Sequence, residues 1–441
     1  MAGRALIIPR VEPHPIRIVV TDDLRRSRLT VFFRLLLAIP HIVWLILWTI
    51  AIVFVLLVNW VVTLIIGRSP AALHNFTAAY IRYSVHVRAF LFLAANPFPG
   101  FTGEPGSYPI DVEIAPPAPQ RRLVTLFRIL LVIPALLLSA ALAGSNASFS
   151  TGRSGGGRNS SGGAAGGGGL GVFAAFFGWF VSLIRGRMPQ GFRDLLAYGL
   201  RYEAQVGGYL LLLTDRYPSS NPLDPVPAPP PPMGVRMHVK DDLQRSRLTV
   251  FFRLLLALPH LVWLSLWGFP ATLAVLANWV ATLVVGRPAA LLHRFLSAYL
   301  RYRNHVSAYV FLLANPFPGF VGAPRIYPVD LEIAGPERQN RWITGFRLIL
   351  VFPALLFSVG FAFVLVVVAF YLWIVALVLG RVPLGLRNLG LYALRYTDQA
   401  NGYLYILTDR YPYTGPIATD THESPPPAEP PPVFEPGPMP A

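Results

Sequence analysis

Three stretches of the chain, Leu35–Gly67, Leu254–Gly286 and Leu348–Gly380, each run 33 residues without Asp, Glu, Lys or Arg. That is well past the roughly 18 apolar residues that mark a segment able to cross a membrane. A fourth run, opening "FRILLVIP" at Phe127, is broken by a Gly- and Ser-rich stretch over 144–169 and resumes at Leu170. Short alternating segments precede the four runs: "PIRIVV", "YPIDVEI", "VRMHV" and "YPVDLEI". Their period of two predicts half-buried strands. After each run a Gly-Arg pair stops the apolar pattern, and about 25 residues of mixed Arg, Tyr and aliphatic character predict an amphipathic helix.

The pattern is a repeat. "SRLTVFFRLLLAIPHIVWL" from Ser27 recurs as "SRLTVFFRLLLALPHLVWL" from Ser246, an offset of 219. Within each half a weaker copy lies 94 residues on, Pro40 matching Pro134 and Pro259 matching Pro353. The Gly-Arg stops fall at Gly67-Arg68, Gly186-Arg187, Gly286-Arg287 and Gly380-Arg381. The units are 14–107, 108–217, 234–326 and 327–415, with a Pro-rich linker at 218–233 and a Pro-rich tail, read as disordered, at 416–441. Between units two and four the offset drops from 219 to 194 across the glycine stretch, so unit two carries 25 extra residues.

A single helix of 33 residues is about 50 Å long, more than the ~30 Å hydrocarbon core. The insertion and the Gly268-Phe269-Pro270 interrupter fall at corresponding places in their runs. Irregular backbone cannot face lipid at mid-bilayer, so each run is expected to fold as a hairpin, Leu29–Trp48 and Ile50–Ile66 in unit one. The expected fold is a mainly α, polytopic membrane protein. It has four units of strand, α-helical hairpin and interfacial amphipathic helix, with a small cytoplasmic β-sheet tying them together. Hairpins place the basic lead-in (Arg25, Arg26, Arg28, Arg34) and the stop Arg68 on one face, which the positive-inside rule makes cytoplasmic. The competing arrangement, one long helix out and the third segment back, would put Arg82, Arg201, Arg301 and Arg395 near mid-membrane. Units that each cross an even number of times would be parallel rather than inverted repeats.

Composition agrees with the membrane class: 54% hydrophobic residues, 13% charged and a mean hydropathy of +0.52. The +16 net charge comes from 36 Arg and the single Lys240. With no cysteine, disulfides, thiol catalysis and Cys-ligated metals are excluded. Nothing in the first 28 residues resembles a cleavable signal, so both termini are expected in the cytoplasm and the protein in the plasma membrane.

The ordered set "YPVDLEI…PERQNR…FRLILVFP" over Tyr327–Pro353, repeated as "YPIDVEI…RRLVTLFRILLVIP" over Tyr108–Pro134, resembles the DUF4389 family of bacterial membrane proteins. The resemblance covers most of 14–412 and implies no catalytic residues.

Candidate chemistry is sparse. Every unit carries an Arg-Tyr pair: Arg82-Tyr83, Arg201-Tyr202, Arg301-Tyr302 and Arg395-Tyr396. These eight residues are the candidates for anionic lipid or phosphate binding, with interfacial anchoring as the alternative. His74 and His86 are 12 apart rather than stacked at i, i+4, and Pro-His pairs occur only in units one and three, so no metal is expected. Asp111/Glu113 and Asp330/Glu332 are read as solvated strand-face carboxylates salt-bridged to arginine, and Asp22-Asp23 and Asp241-Asp242 as helix caps. Asn59 and Asn278 are expected to hydrogen-bond across helices. Gly166–Gly169 lacks the Lys-Ser/Thr of a phosphate loop. The sequence therefore predicts no enzyme and no cofactor. It points to a scaffold or accessory protein engaging anionic lipids or a membrane-protein partner, not nucleic acid; the alternative is a small-molecule or lipid transporter or channel.

Overall fold

A computed structural model describes residues 13–143, 169–223 and 231–417. The expected glycine loop, part of the linker and nearly all of the tail lie outside the described residues. In the first half, strand β1 (Ile16–Val20) leads to α1 (Arg28–Ile66) and α2 (Ala71–Leu91). Strand β2 (Ile110–Ile114) then leads to α3 (Arg122–Ala143), α4 (Leu170–Arg185) and α5 (Gln190–Leu210). The second half repeats this as β3 (Val235–Val239), α6 (Arg247–Val285), α7 (Ala290–Val310), β4 (Val329–Ile333), a short α8 (Arg341–Gly345), α9 (Arg347–Leu379) and α10 (Leu384–Leu404).

The described residues are mainly helical, and four helices among them are long and apolar enough to cross a membrane: Arg28–Ile66, Arg122–Leu142, Arg247–Val285 and Arg347–Leu379. The turn expected near Thr49 is not formed, and α1 runs unbroken for 39 residues with Pro40 inside it. Its buried positions Val31, Arg34, Ala38, His41, Ile52, Asn59 and Thr63 fall on one stripe at helical spacing, so a single face packs along the whole length. Likewise Gly268-Phe269-Pro270 lies within continuous α6. A helical hairpin does exist in each unit, but its legs are the long helix and the return helix after the Gly-Arg stop.

That stop has a local cause. Gly67, Gly186, Gly286 and Gly380 all take left-handed φ between 66° and 80°. Each donates its N–H to the carbonyl four residues back, a C-terminal cap that favours glycine. After Gly67 the chain doubles back, and Ser69 Oγ donates to Asn59 Oδ1 at 2.8 Å.

Neighbouring units run in opposite directions. The start of α1 lies beside the end of α4, where Arg26 N donates to Gly186 O at 2.9 Å and Trp179 Nε1 to Val31 O at 3.1 Å. The end of α1 lies beside the start of α3, where Gln120 N donates to Gly67 O at 2.7 Å and Trp60 Nε1 to Thr125 O at 3.1 Å. Arg28 and Arg68 therefore occupy opposite ends of a helix about 58 Å long, not one face as the hairpin reading required.

Three layers result. The long helices pack side by side in the order α1, α3 with α4, α9, α6. The return helices α2, α5, α10 and α7 form the middle layer, and the strands cover them on the far side. β1 pairs antiparallel with β2 (Ile16 opposite Ile114) and β3 with β4 (Val235 opposite Ile333). Among the described residues the strands thus make two separate two-stranded sheets, one per half, rather than one sheet joining all four units.

Candidate membrane interface

The four Arg-Tyr pairs sit on the middle layer and are used internally. Arg82 Nε donates to Val112 O and Arg301 Nε to Leu331 O, each at 3.0 Å, which fastens α2 to β2 and α7 to β4. In the other two units the guanidinium turns to the loop after its own helix. Arg201 donates to Asn221 O at 2.6 Å and Arg395 to Gly415 O at 2.7 Å. Arg395 also lies over the Tyr392 ring at 5.3 Å, and burial lowers its guanidinium to about 10, so it stays cationic at neutral pH. The paired tyrosines are buried. Tyr83 and Tyr302 hydroxyls meet His41 Nδ1 at 2.9 Å and His260 Nδ1 at 2.8 Å, while Tyr396 stacks on Phe361 at 4.6 Å. Burial pushes the Tyr202 and Tyr396 phenols well above their ordinary value. The structure brings each pair into contact with neighbouring layers and does not bring the four pairs together. The tyrosine rings, for which interfacial anchoring is the alternative, lie between layers instead, because the return helices are covered on both faces.

A second arginine, one per unit, was legible as a repeat ("FR" at Arg34, Arg128, Arg253 and Arg347) but not as a site. Each is almost wholly buried and clamps the C-terminus of its return helix. Arg253 Nη1 donates to Tyr309 O at 2.6 Å and Ala314 O at 2.9 Å, with the guanidinium 4.4 Å above the Tyr309 ring. Arg347 repeats this at Tyr403 O, 2.7 Å, and Thr408 O, 3.0 Å. The clamp adds a cationic donor to the Tyr309 and Tyr403 carbonyls, which the Leu312 and Ile406 N–H groups also reach, and ties the loop carbonyls of Ala314 and Thr408 to the same guanidinium. Beside it, units one and three use Arg26 and Arg245, each paired with a buried carboxylate, Asp22 or Asp241. Units two and four put Gln120 and Gln339 at the same repeat position, donating to Leu212 O and Ile406 O. Asp22 and Asp241 are thus ion-pair partners; the residues that precede α1 and α6, Ser27 and Ser246, make no side-chain cap.

Exposure concentrates on the long-helix layer. Leu35, Phe54, Ile65, Leu130, Leu254, Phe269 and Val359 are each at least 64% exposed, and the apolar surface they mark runs the length of the helices. Such a continuous apolar face marks a membrane or partner surface. Arginines border it at the helix ends. Arg68, Arg187, Arg287 and Arg381, the stop residues, are all exposed. Arg287 lines a cleft of about 350 Å³ with Ala281, Val285 and Pro336. Arg28, Arg122 and Arg247 reach across to the last carbonyls of the neighbouring long helices at Ile184, Ile65 and Val378.

The remaining candidates resolve locally. Asp111 is buried rather than solvated and accepts from His86 Nε2 at 2.7 Å; Glu113 alone keeps the exposed pairing, with Arg17 at 3.9 Å. Burial pushes the Asp111 carboxyl up, but hydrogen bonds from His86 and the Gly106 and Val112 N–H groups outweigh it and hold it below the usual range. Asp330 and His305 repeat the pair at 2.8 Å. Asn278 Nδ2 donates to Tyr405 O at 3.3 Å, across helices as expected, whereas Asn59 is engaged with its own turn. Among the described residues no three His, Cys, Asp or Glu side chains gather as a metal site. One buried group had no sequence signal beyond standing alone in its repeat: Asp398, in α10, where unit two has Ala204.

No curated protein and no solved structure shows significant similarity to the chain. The family model described as "Domain of unknown function (DUF4389)" matches residues 28–102, 168–220, 247–321 and 341–414. Each match takes in long-helix residues and a return helix, in four successive copies, so the chain belongs to the DUF4389 family.

Proposed function

We propose that this protein is a non-enzymatic membrane scaffold whose long-helix layer lies embedded along the plane of one leaflet, held by anionic lipid at the helix-end arginines, with the strand layer in water. The carrying observation is the one-sided surface: a continuous apolar face on the long helices, and on the opposite side of the return helices strands that expose Arg17, Glu113, Arg236 and Glu332. Length supports the orientation. At about 58 Å, α1 exceeds the ~30 Å hydrocarbon core even at the 40° upper end of usual tilts. So does charge. The exposed Arg17–Glu113 pair rides on β1 and β2, and β2 is fastened to the middle of α2 by Arg82. Standing α1 upright would carry that pair to hydrocarbon depth, where each charge costs at least ~2.5 kcal/mol.

This reading moves the lipid contacts from the Arg-Tyr pairs to Arg68, Arg187, Arg287 and Arg381. Replacing those four by Gln is expected to at least halve the anionic phospholipid that copurifies, with the melting temperature little changed. Replacing Arg82, Arg201, Arg301 and Arg395 is expected to lower the melting temperature. Full lipid retention by the first variant would remove anionic lipid from the proposal.

A further inference from the structure

A cleft of about 590 Å³ opens on the strand layer of the second half, away from the apolar face. Its charged lining is His238, Lys240, Arg301, Arg325, Asp330 and Glu332. The two carboxylates are already engaged. Asp330 accepts from His305 Nε2 and from the backbone N–H groups of Arg325 and Leu331, and Glu332 accepts from His238 Nε2 at 3.0 Å. Arg301 directs Nε to Leu331 O. Among the described residues the side chains of Lys240 and Arg325 make no hydrogen bond and no ion pair within 4.0 Å, although the Arg325 charge acts on the Glu332 carboxylate from further off.

The repeat makes this arrangement informative. At the offset of 219, the first half has Val19, Thr21 and Gly106 where the second has His238, Lys240 and Arg325. Arg82, Asp111 and Glu113 are common to both as Arg301, Asp330 and Glu332. The same framework therefore carries basic side chains at these three positions in one half only. Arg325 has φ +62°, the left-handed region that Gly106 occupies at +74° without a side chain. An arginine held there at a conformational cost points to a use for its side chain. Lys240 is the single lysine beside 36 arginines. Its compact ammonium carries three donors, next to guanidinium groups suited to an oxyanion. Ile326 and Tyr327 add an apolar wall.

We infer that this cleft binds the phosphate group of a small water-soluble phosphomonoester, with Lys240 and Arg325 as the anion contacts. The inference is separate from the membrane reading, since the cleft is on the other side of the molecule. The test uses the full chain in detergent, titrated with inorganic phosphate and with phenyl phosphate by calorimetry. A parallel arm measures binding to vesicles with and without phosphatidic acid. The variant K240T/R325G restores the residues of the first half, and R325G relieves backbone strain, so loss of binding would not report misfolding. Saturable binding of both soluble probes, weakened at least tenfold in the variant, is expected. Absent binding by the wild-type chain, or equal binding by both chains, would overturn the inference. Sensitivity of vesicle binding alone to the variant would also overturn it, assigning the cations to a lipid headgroup.

Discussion

Asp398 is 2% exposed, and its Oδ2 has no hydrogen-bond partner. Burial raises its carboxyl to about 8, with Arg303 only partly opposing. Between the ordinary value of 3.8 and about 8, the folded chain keeps a proton that the unfolded chain releases. Stability then falls as pH rises through that window. Asp398→Ala, the residue unit two carries as Ala204, should gain stability relative to the parent chain as pH rises from 4 to 8, by roughly 5 kcal/mol over that window at about 1.4 kcal/mol per pH unit. Thermal unfolding of both chains across pH 4–8 measures this; a destabilised, pH-independent variant would mean that the carboxylate has an ionic partner. At this scale the sequence showed which residues repeat but not where they point. Arg82 and Arg34 are equally regular in the chain, yet one bonds a strand and the other clamps a helix end. That distinction depends on contacts 30 to 61 residues apart, which no local pattern encodes.

The elements themselves were largely legible. Alternation gave all four strands, and the Gly-Arg stops marked the ends of the long helices because the cap needs a left-handed residue. The hairpin expected inside each apolar run is not formed: α1, α6 and α9 run unbroken over 39, 39 and 33 residues, because one face of each packs along its whole length. A helix lying in the membrane plane is not limited by the ~30 Å hydrocarbon core, and internally satisfied backbone is as well suited to one orientation as to the other. The insertion bears on the same point. α3 and α4 together replace one long helix, and Gly360 of α9 sits against Leu170, the first residue of α4. Deleting 145–169 brings Gly144 next to Leu170 in register with unit four. The shortened chain is expected to keep its helical circular dichroism and melt within a few degrees of the parent. Loss of folding would show that unit two needs two separate helices.

For the whole molecule, the proposed arrangement is an apolar layer lying flat in one leaflet beneath a polar one. Hydropathy identified a membrane protein but could not reveal the antiparallel units, which follow from α1 and α4 meeting end to start. Once units alternate, arginines necessarily border the layer at both ends, and a charge count along the chain no longer assigns sides. The absence of cysteine allows a direct measurement. Single cysteines at Leu36, Ile46, Leu57 and Ile65, all exposed on α1, and one at Glu113 can carry spin labels in reconstituted vesicles. Collision with oxygen against a water-soluble nickel complex then reports the depth of each. One shared depth is expected for the four α1 sites, within a few ångströms, and a water-exposed label at 113. A depth profile that deepens to mid-bilayer near Ile46 and Leu57 and rises again at both ends would contradict it and set α1 across the membrane.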